Sequence, residues 1–399
     1  IIPPHDEGIS NAISNNLEPW IWDSKFVDNN ELCVDNINKI SDAYFGELKV
    51  LSRHREDNAA STLKFVYTAL HGVGTPAAKR IFETFSLKPF ILTKEQADPD
   101  PDFLTVTFPN PEEGKGTLAL AIKTANEVGA RIVLANDPDA DRFSVSEKQK
   151  NGNWTIFSGN QIGVMLASIV LNNYKASGNP LEKLAMLSSA VSSKMLAKIA
   201  KIEGFYFEET LTGFKWLGNV AIDLVKKGYE VLFAYEEAIG FMIGDTVRDK
   251  DGISALGTFA ELVVQLDKRG ISITEYLDEL YKKYGYFVTE NSYFICHSLP
   301  TINKIFDKIR DLTIGYDTST ADNRPALPVS ESSHMITFGL ENGCIGTLRT
   351  SGTEPKIKYY FETSGNDKEK ATKELSNIVK AVADELLEPE KYGLGYRVM

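Results

Sequence analysis

The spacing of apolar and polar residues divides this chain into stretches of different kinds. To about Asn38 the chain is polar and broken by Pro, Asn and Asp, with Pro19-Trp20-Ile21-Trp22 as its main apolar cluster. Such a stretch buries little by itself and reads as the tail of something upstream. Residues 39–51 turn helical in spacing. Short apolar strands then alternate with amphipathic helices. Residues 63–70 read as a strand, His71-Gly72-Val73-Gly74-Thr75-Pro76 as a turn, and residues 77–85 as a helix. A helix over 117–128 leads into the apolar run Arg131-Ile132-Val133-Leu134-Ala135, and strand, loop and helix recur at 184–188 and 231–234. This alternation predicts α/β domains with mainly parallel sheets, whose ligands gather at the carboxyl ends of strands. From about Tyr293 the pattern changes. His334-Met335-Ile336-Thr337-Phe338 and Cys344-Ile345-Gly346-Thr347-Leu348 read as a hairpin around Glu341-Asn342-Gly343, and a charged helix follows over 368–387. The expected fold is a succession of mixed α/β domains closed by a C-terminal α+β domain.

Composition narrows the chemistry. The chain has 399 residues, 43% hydrophobic and 25% charged, an ordinary globular composition with room for about two to four domains. Lys+Arg 43 against Asp+Glu 55 gives a net charge of −12, which argues against general binding to nucleic acid or to an anionic membrane. A phosphorylated ligand would then need local clusters of positive charge. Cys33, Cys296 and Cys344 form no Cys-x-x-Cys, so neither a disulfide framework nor a zinc site is expected, and a reducing cytosol is the simplest compartment. The longest strongly apolar stretch, residues 163–171, is too short to cross a bilayer. The opening Ile1-Ile2-Pro3-Pro4-His5-Asp6 has no basic region and no initiating Met, so it does not read as a secretory signal.

Candidate chemistry begins where the run 131–135 ends, in Asn136-Asp137-Pro138-Asp139-Ala140-Asp141-Arg142. Three carboxylates at alternate positions in a tight loop can converge on one hard cation, Mg²⁺ or Ca²⁺. An EF-hand is excluded: counting from Asp137, the sixth position is Arg142 in place of Gly and the twelfth is Lys148 in place of Glu. The competing reading is a solvated acidic turn. A second loop, Arg349-Thr350-Ser351-Gly352-Thr353-Glu354-Pro355-Lys356, offers an anion a guanidinium fork, two hydroxyls and a glycine for close backbone approach. Lys356 and Lys358 alternate onto one face of the strand that follows. Glu236-Glu237-Ala238-Ile239-Gly240, after an apolar run, could bind sugar hydroxyls, although neighbouring carboxylates diverge. Thr212-Gly213-Phe214-Lys215-Trp216 and Arg248-Asp249-Lys250-Asp251-Gly252 read, in isolation, as surface loops, and His71 as a structural histidine beside a turn. None of the five histidines lies in a metal-spaced or Gly-x-Ser-x-Gly setting, so hydrolase triads find no support.

Taken in order, these loops resemble those of the α-D-phosphohexomutase superfamily over essentially the whole chain. Leu70-His71-Gly72-Val73-Gly74, Asp98-Pro99-Asp100-Pro101-Asp102-Phe103 and Lys283-Tyr284-Gly285 resemble the cytosolic type-2 phosphoglucomutase and phosphopentomutase branch, one close sister of which makes glucose 1,6-bisphosphate. The resemblance implies domains over 39–158 (metal loop), 159–288 (sugar loop) and 289–399 (phosphate loop). It implies a phosphoryl shift between the anomeric and terminal hydroxyls of ribose, deoxyribose or glucose phosphate, through a phosphoserine and a sugar bisphosphate such as glucose 1,6-bisphosphate. Asp137, Asp139 and Asp141 would hold Mg²⁺, with Arg142 and Lys250 near the transferring phosphate. Thr212, Gly213, Glu236 and Ala238 would meet the sugar, and Arg349, Ser351, Gly352, Thr353 and Lys358 the distant phosphate. A cytoplasmic monomer whose partner is a small phosphosugar is the implied setting.

Two departures from the family pattern matter. The phosphoserine loop, Thr-Ala-Ser-His-Asn, does not occur here, and the only Ser-His pair, Ser333-His334, falls in the last domain. Residues 1–38 therefore read as a remnant of the family's first domain, and the chain alone is expected to be inactive, a phosphosugar-binding protein at most. The second departure is Ala238, where many glucose-preferring relatives carry a serine. It leaves pentose mutase, hexose mutase and bisphosphate synthase as alternatives.

Overall fold

A computed structural model describes residues 1–28, 30–113, 116–312, 334–351 and 355–396. The chain forms two compact units, Ile1–Ser192 with Ile199–Leu277, and Ser193–Lys198 with Asp278–Met399.

The first unit carries two sheets. One contains β1 (Phe65–Thr68), β2 (Ile91–Leu92), β3 (Ile132–Asn136), β4 (Phe143–Lys148) and β5 (Trp154–Ile156), in the order β2-β1-β3-β4-β5. The other contains β6 (Leu184–Ser189), β7 (Tyr206–Thr210), β8 (Glu230–Glu236) and β9 (Gly240–Ile243), in the order β7-β6-β8-β9. Helices link the parallel strands β1, β2 and β3, and again β6, β7 and β8. The expectation of mainly parallel sheets needs one correction: β4, β5 and β9 are antiparallel to their neighbours. The physical reason is connection length. A parallel return needs a crossover of about a dozen residues or more, whereas the Asp137–Arg142 and 237–239 links are far shorter.

Burial explains how the helices lie. Ala121 and Ala125 of helix Ala119–Val128 pack on Val66 and Val133 of the first sheet. Leu217, Ala221 and Leu224 of helix Phe214–Lys226 pack on Ala185, Leu187 and Ala234 of the second. Helix Gly252–Arg269 is buried on nearly every side and touches both β3 and β4 of one sheet and β9 of the other. It is the shared spine of the unit. By contrast, no described residue before Phe45 is buried, and Trp20 and Trp22 are 97% and 86% exposed.

The second unit is built on an antiparallel sheet of β10 (Tyr286–Ile295), β11 (Met335–Gly339), β12 (Ile345–Thr350), β13 (Lys356–Gly365) and β14 (Gly395–Tyr396), ordered β11-β12-β13-β10-β14. β11 and β12 form the expected hairpin, turning at Gly343 with φ 83°. Ile305, Phe306 and Ile309 of one helix and Leu375 and Val379 of another share a core with Leu348, Ile357 and Phe361 of the sheet. Among the described residues, no helix is long and apolar enough to cross a membrane.

Candidate functional site

The acidic loop is a turn between two antiparallel strands, with Asn136 of β3 facing Phe143 of β4. The chain reverses with Ala140 in the left-handed region, φ 61°, and the Ala140 amide donates to the Asp137 carbonyl at 2.9 Å. Asn136 closes the base. It accepts from the Tyr67 hydroxyl at 3.0 Å, and its Nδ2 donates to the Arg142 carbonyl at 2.6 Å. Asp137 accepts from the Arg142 amide at 2.9 Å. So tied, Asp137, Asp139 and Asp141 each offer an oxygen within 4.8 Å of the others.

Electrostatics separates the two readings of this loop. A solvated turn would not bury a carboxylate, but Asp137 is only 7% exposed. Burial, with Asp139 and Asp141 close by, pushes its carboxyl up to about 7. Cations partly answer the charge. Lys250 Nζ lies 3.0 Å from Asp141 Oδ2, and Arg142 Nε lies 3.8 Å from Asp137 and 3.9 Å from Asp141. Burial works against the Lys250 ammonium, yet Asp141 and Asp249 hold it above its usual range. Three hard oxygen donors, crowded and partly desolvated, fit a small divalent cation.

The loop is clasped from three directions within its unit. The turn after β1 presses on it: the Val73 amide donates to the Pro138 carbonyl at 2.8 Å, and a Cβ on Gly72 would lie 2.2 Å from Pro138 Cα and O. The start of helix Gly252–Arg269 presses from a second side, where a Cβ on Gly252 would meet the Ala140 carbonyl at 2.6 Å and the Arg142 carbonyl at 2.4 Å. From the third side Arg142 bridges Gly240, and the Phe143 amide donates to the Ile239 carbonyl at 3.1 Å. Ile239 is buried with φ 55°, a strained conformation for a β-branched residue that persists only where its surroundings enforce it. Gly72→Ala should therefore destabilise the protein by about 1–3 kcal/mol, as overpacking does. Chemical denaturation measures it, and an unchanged midpoint would mean that the turn does not brace the loop.

The residues named for the sugar come together through the same unit. Glu236 ends β8, and its Oε1 accepts from the Gly213 amide at 2.5 Å, which places Thr212-Gly213 against it. Glu237 diverges as expected: its carboxylate accepts from Ser189 at 3.0 Å, while its amide donates to Ser192 Oγ at 3.0 Å. Ala238, half-buried, follows in the same link. Lys250 joins this group to the acidic loop, its ammonium 5.6 Å from the centre of the Phe214 ring and its stem passing Gly240. The reading of residues 212–216 and 248–252 as plain surface loops is overturned here. Phe214 is buried in the core of the second sheet, and Asp251 and Gly252 are buried at the helix start that presses on the acidic loop. Tyr67, Ser189 and Ser192 were missed by sequence reasoning, and Asn136 and Gly72, although they lie in the segments singled out above, were given no part in the site. Gly72, in a Gly-x-Gly turn after a strand, and Asn136, at the end of the apolar run, were the two with a local signal.

In the second unit Arg349 and Lys358 are register partners across β12 and β13, so two cations project from one face. Arg349 Nη2 lies 3.3 Å from the Tyr360 hydroxyl, and Lys356 Nζ lies 4.0 Å from the centre of the Tyr293 ring. The Ser351 amide donates to the Lys356 carbonyl at 2.9 Å. Gly352 and Thr353 lie outside the described residues.

Comparison with known proteins places the chain in a family. Residues 42–152 match the family model for phosphoglucomutase/phosphomannomutase α/β/α domain II, and residues 158–284 that for domain III. The class so defined is that of isomerases acting as intramolecular phosphotransferases. The chain belongs to the phosphoglucomutase/phosphomannomutase family, within the α-D-phosphohexomutase superfamily. It is 47% identical to human phosphopentomutase and 43% identical to human glucose 1,6-bisphosphate synthase, covering 69% of each; the matches take in 99% and 100% of this chain. The fold of Paramecium pp63/parafusin, a phosphoglucomutase, superposes with a TM-score of 0.63 at 21% identity, over 90% of this chain and 63% of that one. The chain thus spans about two thirds of the length of the proteins it matches.

Proposed function

We propose that this chain carries the metal, sugar and phosphate loops of a phosphosugar mutase that moves a phosphoryl group between the anomeric and terminal hydroxyls of ribose, deoxyribose or glucose phosphate. The observation that supports it most is the meeting of Lys250 with Asp141 on one side and with Phe214, next to the Gly213–Glu236 contact, on the other. The loop that would handle charge and the loop that would bind hydroxyls thus meet at one side chain within one unit.

Asp137, Asp139 and Asp141 would hold Mg²⁺, which supplies neutralisation of charge on a transferring phosphoryl group. Lys250 and Arg142 add fixed positive charge beside that position, so less of it must be reorganised as charge develops. Glu236 accepts hydroxyl hydrogens and orients the sugar, with Thr212 and Gly213 alongside. Arg349 and Lys358, with Ser351, Gly352 and Thr353, hold the phosphate that is not reacting. Glucose 1,6-bisphosphate or an equivalent sugar bisphosphate serves as activator.

The nucleophile of this reaction is a serine that these residues do not supply, for they contain no Thr-Ala-Ser-His-Asn loop. In this reading Ser351 is one of the donors that hold the phosphate and does not act as the nucleophile. Residues 1–399 incubated with glucose 1,6-bisphosphate are expected to gain no stable phosphoserine by intact mass. Added phosphate mapping to any serine here would overturn that. The activity itself is tested by assaying the full-length protein side by side on ribose 1-phosphate, deoxyribose 1-phosphate and glucose 1-phosphate. Conversion of none of the three rejects the mutase reading.

A further inference from the structure

The helix that presses Gly252 against the acidic loop is capped by Asp251. Its carboxylate accepts from the Ile253 and Ser254 amides at 3.0 Å each, and its amide donates to the Phe241 carbonyl of β9 at 2.8 Å. Asp251 is only 8% exposed, and in those amide contacts a single oxygen, Oδ1, does the accepting. A buried carboxylate with acceptor sites unfilled carries a penalty. The Tyr44 hydroxyl meets the need, 2.8 Å from both Oδ1 and Oδ2. Burial, and then the charge of Asp251, hold the Tyr44 phenol well above its usual range, so it remains a donor.

Tyr44 comes from helix Ile37–Leu48, 207 positions earlier in the chain. That helix is itself fixed to helix Thr75–Thr84: the Arg80 guanidinium lies 4.6 Å from the centre of the Phe45 ring and bonds Ser41 Oγ at 2.7 Å. On one side of Asp251, Gly252 abuts the carbonyls of Ala140 and Arg142. On the other, Lys250 reaches Asp141. A shift of Asp251 therefore moves both. We propose that Tyr44 is a positioning residue, whose hydroxyl acts through Asp251 to set Lys250 and the Gly252 backbone against the Asp137–Asp141 loop. The importance of Lys250 to a transferring phosphate rests on the function proposed above. The mechanical link from Tyr44 to Lys250 does not.

Tyr44→Phe keeps the ring and removes only the donor. In the full chain, competitive acylation read by mass spectrometry should label Lys250 about fivefold faster in this variant, in keeping with the net worth of one intramolecular hydrogen bond. Lys64 and Lys123 should change by less than about twofold, which separates local release from general loosening. Asp251→Asn keeps an N-cap residue but removes the charge that Tyr44 answers. It should also speed labelling of Lys250, and adding Tyr44→Phe to it should change little, since the two residues act as one unit. Unchanged Lys250 labelling in either single variant overturns the proposal, as do independent, multiplying effects in the double one. In the full-length mutase Tyr44→Phe should lower kcat about fivefold with KM nearly constant. Faster labelling with unchanged kcat would support the positioning of Lys250 and count against its part in the proposed reaction.

Discussion

Asp139→Ala is expected to weaken Mg²⁺ binding by about 100-fold or more, above the roughly 10- to 100-fold that loss of an outer partner of a metal ligand costs. Asp139 is the exposed member of the three carboxylates, whereas Asp137 is buried and Asp141 intermediate. Its side chain can therefore be removed without opening a cavity. The charge of Asp139 is also one of the causes that push Asp137 up, so its loss relieves repulsion in the ion-free loop. The two effects run in opposite directions. Affinity for Mg²⁺ in titration calorimetry should collapse, while Tm without added metal should hold or rise slightly. A variant that merely damaged the fold would lose both. Undiminished Mg²⁺ affinity would show that the loop is an acidic turn stabilised by Lys250 and Arg142 alone, and that the metal has been placed wrongly.

Much of this arrangement was legible before any coordinates, and the reasons differ from place to place. β3 reads as a strand because its first four residues, Ile132–Ala135, are apolar enough to be buried on both faces, and the acidic residues then mark its carboxyl end. Glu236 and Glu237 could be expected to diverge from the alternation of side chains along a strand. The turn 248–252 could not be read, because charge density there looks like solvation when only neighbours in sequence are considered. Asp251 is buried because Tyr44, remote in sequence, reaches it, and because Gly252 lies under two carbonyls of the acidic loop. Such partnerships leave no local periodicity. Ser189 and Ser192 escaped notice for the same reason: serines at a strand end and in the turn after it are common, and only the fold turns these two towards Glu237.

Replacing Arg349 by Ala should lower activity of the full-length enzyme on pentose and hexose phosphates together, by about 30- to 1000-fold. This corresponds to roughly 2–4 kcal/mol for a buried charge-assisted contact. The phosphate it would grip is common to every candidate substrate, so its loss removes affinity without choosing a sugar. The fold should survive, because Arg349 and Lys358 face each other across β12 and β13 as like charges, and such pairs do not stabilise a sheet. Ala238 is different. It lies half-buried in the link that follows Glu236, where pentose and hexose would differ. Ala238→Ser offers the ring a hydroxyl and should move the ratio of kcat/KM towards glucose phosphate by about 1 kcal/mol, since a neutral hydrogen bond exchanged with water is worth little. The comparison of ratios is decisive. If Arg349→Ala changes the pentose-to-hexose ratio more than Ala238→Ser does, then the cationic face of β12 and β13 reads the length of the substrate, and the choice of sugar does not lie in the loop after β8.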